Sequence, residues 1–158
     1  MFIVVRALAC AVAVCLVGGQ GAATMDKYRD ALHDKVNELR GKGDQLPLTR
    51  NEKLDAAAQK HAENMAKQEK CSHELDGKRV PDRILMEGYQ ASVVGENVAL
   101  APVGSNKSAA AVVDAWRYSP GHYKNIKLEL VTETGIGVAK SKSGKWYYCQ
   151  VFAAPKKK

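Results

Sequence analysis

The sequence predicts an α+β domain, with three main helices packed around a small antiparallel sheet built late in the chain. Two observations carry this. Segments beginning at Asp26, Thr49 and Ser108 repeat apolar residues at helical spacing. The end of the chain instead holds two β-type runs, Thr134 to Lys140 and Lys145 to Ala153, joined by Ser141-Lys142-Ser143-Gly144.

In chain order, Asp26 to Arg40 places Ala31, Leu32, Val36 and Leu39 on one helical face and stops at Gly41-Lys42-Gly43. After Leu46-Pro47-Leu48, the run Thr49-Arg50-Asn51-Glu52 reads as a capping box. In it Thr49 and Glu52 satisfy free amides reciprocally. The helix it opens extends to about Lys70, with Leu54, Ala57, Ala58, His61 and Met65 on its apolar side. Pro81 to Met86 suits a short helix with proline in its first turn, stopped by Gly88. Ser92 to Leu100 reads as a short strand or extended loop. Ser108 caps a helix that reaches Trp116 and ends before Ser119-Pro120-Gly121.

The chain has 158 residues, 46% of them hydrophobic, 26% charged and 6% aromatic. Those values fit one globular domain and argue against disorder. Its first 23 residues hold one charge, Arg6, then an apolar run from Ala7 to Val17 and a small-residue exit at Gly18 to Ala23. This describes a secretory signal peptide. The run is well short of the ~20 residues a membrane span needs, which leaves an uncleaved anchor as the lesser reading. The expected mature domain is 24–158, with no transmembrane segment, secreted or periplasmic and monomeric. Cys10 and Cys15 leave with the leader. Cys71 and Cys149 remain, and export favours one disulfide over two buried free thiols. Closing that loop would contribute roughly 4 kcal/mol in the chain-entropy model.

Charge is uneven. Residues 25–96 carry 13 Lys and Arg against 14 Asp and Glu, whereas residues 97–158 carry 10 against 3 and end in Lys156-Lys157-Lys158. A basic second half favours anionic surfaces such as lipid head groups or cell-wall polymers; in an exported protein no nucleic acid is expected.

The chain has no His-Glu-x-x-His, Gly-x-Ser-x-Gly, phosphate-cradling glycine loop or paired Cys-x-x-Cys. What stands out is three short segments: Cys71-Ser72-His73, Gly95-Glu96-Asn97 and Ser119-Pro120-Gly121-His122. Two imidazoles and a carboxylate can ligate zinc with one position open. The spacing alone equally allows each group to tie its own loop in place.

These segments belong to a longer series. Val36-Asn37-x-x-Arg40, Leu46-x-Leu48, Leu54 to Ala62, Gly95-Glu96-Asn97-Val98-Ala99, Trp116-x-x-Ser119-Pro120-Gly121-His122-x-x-Asn125-Ile126, Gly135 to Ala139 and Gln150 to Ala153 follow one another in order. Over about residues 27–153 the series resembles the CAP/SCP superfamily of cysteine-rich secretory, antigen 5 and pathogenesis-related proteins, in its short bacterial form. The resemblance implies an α-β-α sandwich and a cleft of histidines and acids that binds Zn2+ or another divalent cation in some members. Carried over by motif, the metal ligands are His73, Glu96 and His122. Many members have a second acid three residues after the Trp, but here that position is Ser119. Ser119, Asn97 and Asn125 are expected to support the cleft.

Other candidates resolve mostly to structure. His61 is expected to be structural, His33 solvated, and Trp116, Ile136, Val138 and Phe152 core. Cys71 and Cys149 joining His73 and His122 in a Cys2His2 site is the minor alternative to the disulfide. The expected function is that of a secreted binding protein for a small apolar, lipid or cell-envelope ligand, or for a host-surface partner, with no organic cofactor. Two other readings are a scaffold without a cleft function and a metal-assisted hydrolase with Glu96 as general base. A Ser119 nucleophile served by His122 is the weaker form of the hydrolase.

Overall fold

A computed structural model describes residues 19–101 and 106–157. The expected leader lies outside the described residues up to residue 18. Helix α1 (Gly19–Gly41) begins within its remainder. Strand β1 (Thr49–Arg50) and helix α2 (Glu52–Gln68) follow, then α3 (Val80–Met86) and β2 (Ala91–Ala101). Helices α4 (Asn106–Tyr118) and α5 (Pro120–Ile126) precede the hairpin of β3 (Glu133–Lys140) and β4 (Trp146–Pro155).

The strands form one sheet in the order β1-β3-β4-β2, antiparallel except where β1 runs parallel to β3. Alternation along β4 divides the core between two layers. Trp146, Tyr148 and Phe152 pack with Leu32 and Val36 of α1, Val113 and Trp116 of α4, and Ile126 of α5. Tyr147, Cys149, Val151 and Ala153 pack with Leu54, Ala58, Ala62 and Met65 of α2 and Ile84 of α3. Helices therefore cover both faces of the sheet, as an α-β-α sandwich requires.

Helix α2 lies so close to β3 that two positions exclude any side chain. A Cβ on Gly135 would fall 2.0 Å from the Leu54 carbonyl carbon, and one on Gly137 2.2 Å from the Ala58 carbonyl oxygen. Beyond the two-residue β1, β3 has no strand neighbour on that side among the described residues, and α2 supplies side chains instead. Asp55 Oδ1 accepts from Ile136 N at 2.8 Å, Gln59 Oε1 from Val138 N at 3.0 Å, and Gln59 Nε2 donates to Val138 O at 3.1 Å. At the opposite side of the sheet, Asn125 Nδ2 and Trp116 Nε1 donate to the Glu96 and Val98 carbonyls of β2.

Local readings needed revision at three places: the cap of α2, His33, and the Ser108 cap, because α4 already begins at Asn106 and Ser108 lies in its first turn. The cap of α2 is Asn51, whose side chain accepts from Lys53 N and Leu54 N, while Thr49 is drawn into β1 by pairing with Glu133. The sheet neighbour, absent from a local reading, moves the helix start. His33 is half-buried: its Nε2 lies 2.9 Å from the Leu48 carbonyl, so it pins the loop before β1 to α1 instead of standing in solvent. Arg40 is 1% exposed and donates to the carbonyls of Leu46, Ile126 and Leu128, which joins α1 to the end of α5.

Replacing Gly137 with Ala forces α2 off the sheet. Urea unfolding is expected to register a loss of at least about 2 kcal/mol, at the upper end of overpacking effects. An unchanged midpoint would show that α2 yields freely.

Candidate functional site

Glu96 and Asn97 are adjacent on β2, so their side chains point to opposite faces of the sheet. Each meets a different layer. Glu96, 6% exposed, faces the α2–α3 side, where its Oε1 accepts from His73 Nδ1 at 2.9 Å. Asn97, fully buried, faces the α4–α5 side, where its Nδ2 donates to the His122 carbonyl at 3.1 Å and its Oδ1 accepts from Asn125 Nδ2 at 3.0 Å. Gly95 leaves the room for Asn125, whose Oδ1 would lie 3.1 Å from any Cβ there. The two histidines thus meet across the outer edge of β2, with ring centroids 6.3 Å apart.

Each imidazole is held by its Nδ1. For His73 the holder is Glu96; for His122 it is Ser119 Oγ at 3.0 Å. Neither Nε2 makes a hydrogen bond among the described residues. His73 is anchored from behind as well, because the buried His61 donates Nε2–H to the Ser72 carbonyl at 2.8 Å. The structural role expected for His61 is the one found.

Sequence reasoning missed Arg83. From α3 its Nη1 donates to the carbonyls of His73 and Lys78, and its Nη2 pairs with Glu96 Oε2. The Cys149 thiol also faces that oxygen at 3.4 Å. Both Glu96 oxygens are therefore engaged within the protein. Among the described residues no group of three or more His, Cys, Asp or Glu side chains is placed to hold a metal ion, the Cys2His2 combination included. The expected Cys71–Cys149 disulfide is not formed either: Cys71 is exposed, Cys149 is buried, and both are free thiols. Burial and the Glu96 charge push both thiols above their ordinary pKa, which favours the protonated form.

The electrostatics follow from this contact set. Burial alone would raise the Glu96 pKa, but the hydrogen bond from His73 and the charge of Arg83 hold it below the ordinary carboxylate range. The Glu96 hydrogen bond in turn raises the His73 imidazole against the opposing effect of burial. Burial, then the nearby His73, lowers His122.

The donor set suits a divalent ion in part. Two imidazoles oriented through Nδ1, one by a carboxylate, are the arrangement that prepares Nε2 for a metal. Two protein ligands are fewer than the three or four of ordinary zinc centres.

Compared with known proteins, the chain matches the model of the cysteine-rich secretory protein family, CAP, over residues 33–152. No curated protein sequence matches it. Among solved structures, an outer surface protein from Borrelia burgdorferi is similar at TM-score 0.75 and 21% identity, over 82% of this chain and 94% of its own. An extracellular SCP-domain protein from Bacillus anthracis is similar at TM-score 0.71 and 25% identity, over 82% of this chain and 41% of its own. NaASP2 with Zn2+ shares the fold at TM-score 0.60 and 14% identity, over 82% of this chain and 80% of its own.

Removing Arg83 strands a buried carboxylate. Arg83→Met is expected to cost about 3–5 kcal/mol in urea unfolding. Arg83→Met combined with Glu96→Gln should cost less than Arg83→Met alone, because no unpaired charge remains. A double variant as unstable as the single would contradict this account of the pair.

The His73–Glu96 contact also has a pH signature. The raised His73 pKa makes its contribution complete below the ordinary imidazole value of 6.5 and lost as pH rises through the higher folded value. The lowered Glu96 pKa makes its contribution complete above the ordinary 4.5 and lost as pH falls through the lower folded value. The stability difference between wild type and His73→Ala should therefore be greatest between those two values. A difference that is flat from pH 4 to 8 would contradict the contact.

Proposed function

Because the chain belongs to the cysteine-rich secretory protein (CAP) family, we propose that it is an exported binding domain rather than a hydrolase. Its ligand, a small apolar or cell-envelope molecule or a partner surface, docks at the paired imidazoles of His73 and His122. The observation that carries this reading is the engagement of Glu96. A carboxylate whose one oxygen accepts from His73 and whose other is paired with Arg83 is already committed at both oxygens, which works against its taking a proton from water. Its depressed pKa makes it a weaker base still. What remains is a positioning group for His73.

The Ser119 form of the hydrolase has one supporting contact, the 3.0 Å between Ser119 Oγ and His122 Nδ1. A nucleophile and base at that distance need a third group to orient the imidazole. His122 Nε2 has no such partner among the described residues.

Export rests on the leader-like first 23 residues and on relatives described as extracellular or outer-surface proteins. No helix among the described residues is long and apolar enough to cross a membrane. A divalent ion in the cleft would be held through Nε2 of His73 and His122, with Glu96 and Ser119 orienting the rings. Such an ion supplies a Lewis-acidic point for an oxygen or nitrogen of the ligand. The zinc carried by NaASP2 is consistent with this site taking the same ion.

Zinc titration of the purified domain tests the roles. His73→Ala and His122→Ala should each abolish binding, and Glu96→Gln should weaken it about 10–100-fold, as for loss of a group that orients a ligand. Zinc binding that survives both alanine variants would overturn the two-histidine site. Hydrolysis of a casein or ester substrate by wild type, abolished in Glu96→Gln, would overturn the binding-domain reading.

A further inference from the structure

Helix α3 turns one side to the core and leaves an apolar ridge outside. Ile84 is buried and Arg83 reaches the buried Glu96, but the next two residues, Leu85 and Met86, are 60% and 64% exposed. Consecutive helical positions point some 100° apart, so these four cannot all face inward. Pro81, one turn before Leu85, is exposed as well. A lone apolar residue in water needs no explanation, whereas adjacent large ones on one ridge mark a contact surface.

The ridge borders a groove of about 410 Å³ between α3 and the start of β2. Ile84 and Leu85 form one wall, and the half-buried Val93 and Val94 the other. Among the described residues its lining holds one charge, that of Lys156. The Lys156 amide donates to the Gln90 carbonyl at 2.8 Å, so the run Lys156-Lys157-Lys158 starts at the groove. The two acids of α3 and its C-cap are occupied. Asp82 accepts from the Arg79 amide at 3.0 Å, and Glu87 pairs with Lys60 at 2.7 Å.

These features together select the occupant. A polyanion would pair with the lysines but leave Leu85 and Met86 in water. An apolar protein surface would cover Leu85 and Met86 but has no use for three adjacent cations. The outer layer of an anionic bilayer takes both, with phosphates for the lysines and hydrocarbon just beneath.

We propose that the outer side of α3 is a membrane-docking face, separate from the His73–His122 cleft. Leu85 and Met86 enter the headgroup layer, and Lys156, Lys157 and Lys158 lie against its phosphates. The inner side of the same helix holds Glu96 and the His73 carbonyl through Arg83, so docking by α3 keeps the cleft beside the membrane.

Co-sedimentation of the exported protein with vesicles tests this. Phosphatidylcholine vesicles containing about 30% phosphatidylglycerol should bind it at least about tenfold more tightly than phosphatidylcholine alone, and added salt should weaken that binding. Leu85→Ser with Met86→Ser should bind about tenfold more weakly, and Gln at 156, 157 and 158 about 100-fold more weakly. The substituted side chains lie outside the core, so unchanged urea midpoints are expected for both variants. His73→Ala should bind as wild type, which separates this face from the zinc-titration test of the cleft. The proposal is overturned by absence of vesicle binding or by equal binding to both vesicle types. It is also overturned by binding indifferent to either variant, as polyanion recognition would be to the Leu85 and Met86 changes. A dimer of wild type that the Leu85→Ser, Met86→Ser variant abolishes would overturn it too, by assigning the face to a second copy.

Discussion

The contact of α2 with β3 is the constraint from which the site descends. Backbone meets side chain-free backbone at Gly135 and Gly137, so the height of the helix above the sheet is fixed by hard contact rather than by the fill of a side-chain layer. Asp55 and Gln59 then fix its position along the strand. With the helix held in both directions, His61 holds the Ser72 carbonyl, and the next residue is His73. The position of one wall of the cleft is therefore set through α2, by glycines on a strand that does not touch the cleft.

The second wall is built independently, on the other face of the sheet, and the two meet only because Glu96 and Asn97 are neighbours on an edge strand. Asn97 and Asn125 hold the α5 end by neutral hydrogen bonds. Glu96 works by charge, and its burial makes Arg83 obligatory: an isolated carboxylate there would cost far more than the pair does. The exposed ion pairs of α1, such as Lys35 with Glu38, are screened by solvent and decide little. The basic excess of the second half does not reach the centre of the site, where Glu96 is matched by Arg83.

What could be read from the sequence follows the range of each interaction. Helical and strand periodicity is local, so α2, α4 and the late hairpin were legible, as were His61 on its apolar face and the buried Trp116, Ile136, Val138 and Phe152. The family resemblance picked out His73, Glu96 and His122, which the fold brings within contact or near-contact. Arg83 was illegible because an arginine in a short helix after proline looks like a solvated residue until β2 presents a carboxylate to it. His33 was misread for the same reason, its partner being a carbonyl in the loop before β1. The cysteine pair failed differently: counting thiols gives an even number but no distances or directions, and the Cys149 sulfur faces Glu96.

The helix side chains that bond to β3 and β2 have a consequence beyond positioning. A sheet that ends in unsatisfied amides and carbonyls is a template for another extended chain. Here the open side of β3 is occupied at residues 136 and 138, and that of β2 at residues 96 and 98, by groups that are not strands and cannot propagate one. Self-association by strand addition would first have to break partly or fully buried polar contacts on whichever side it began. The same side chains that set the cleft thus also restrain the sheet from polymerising.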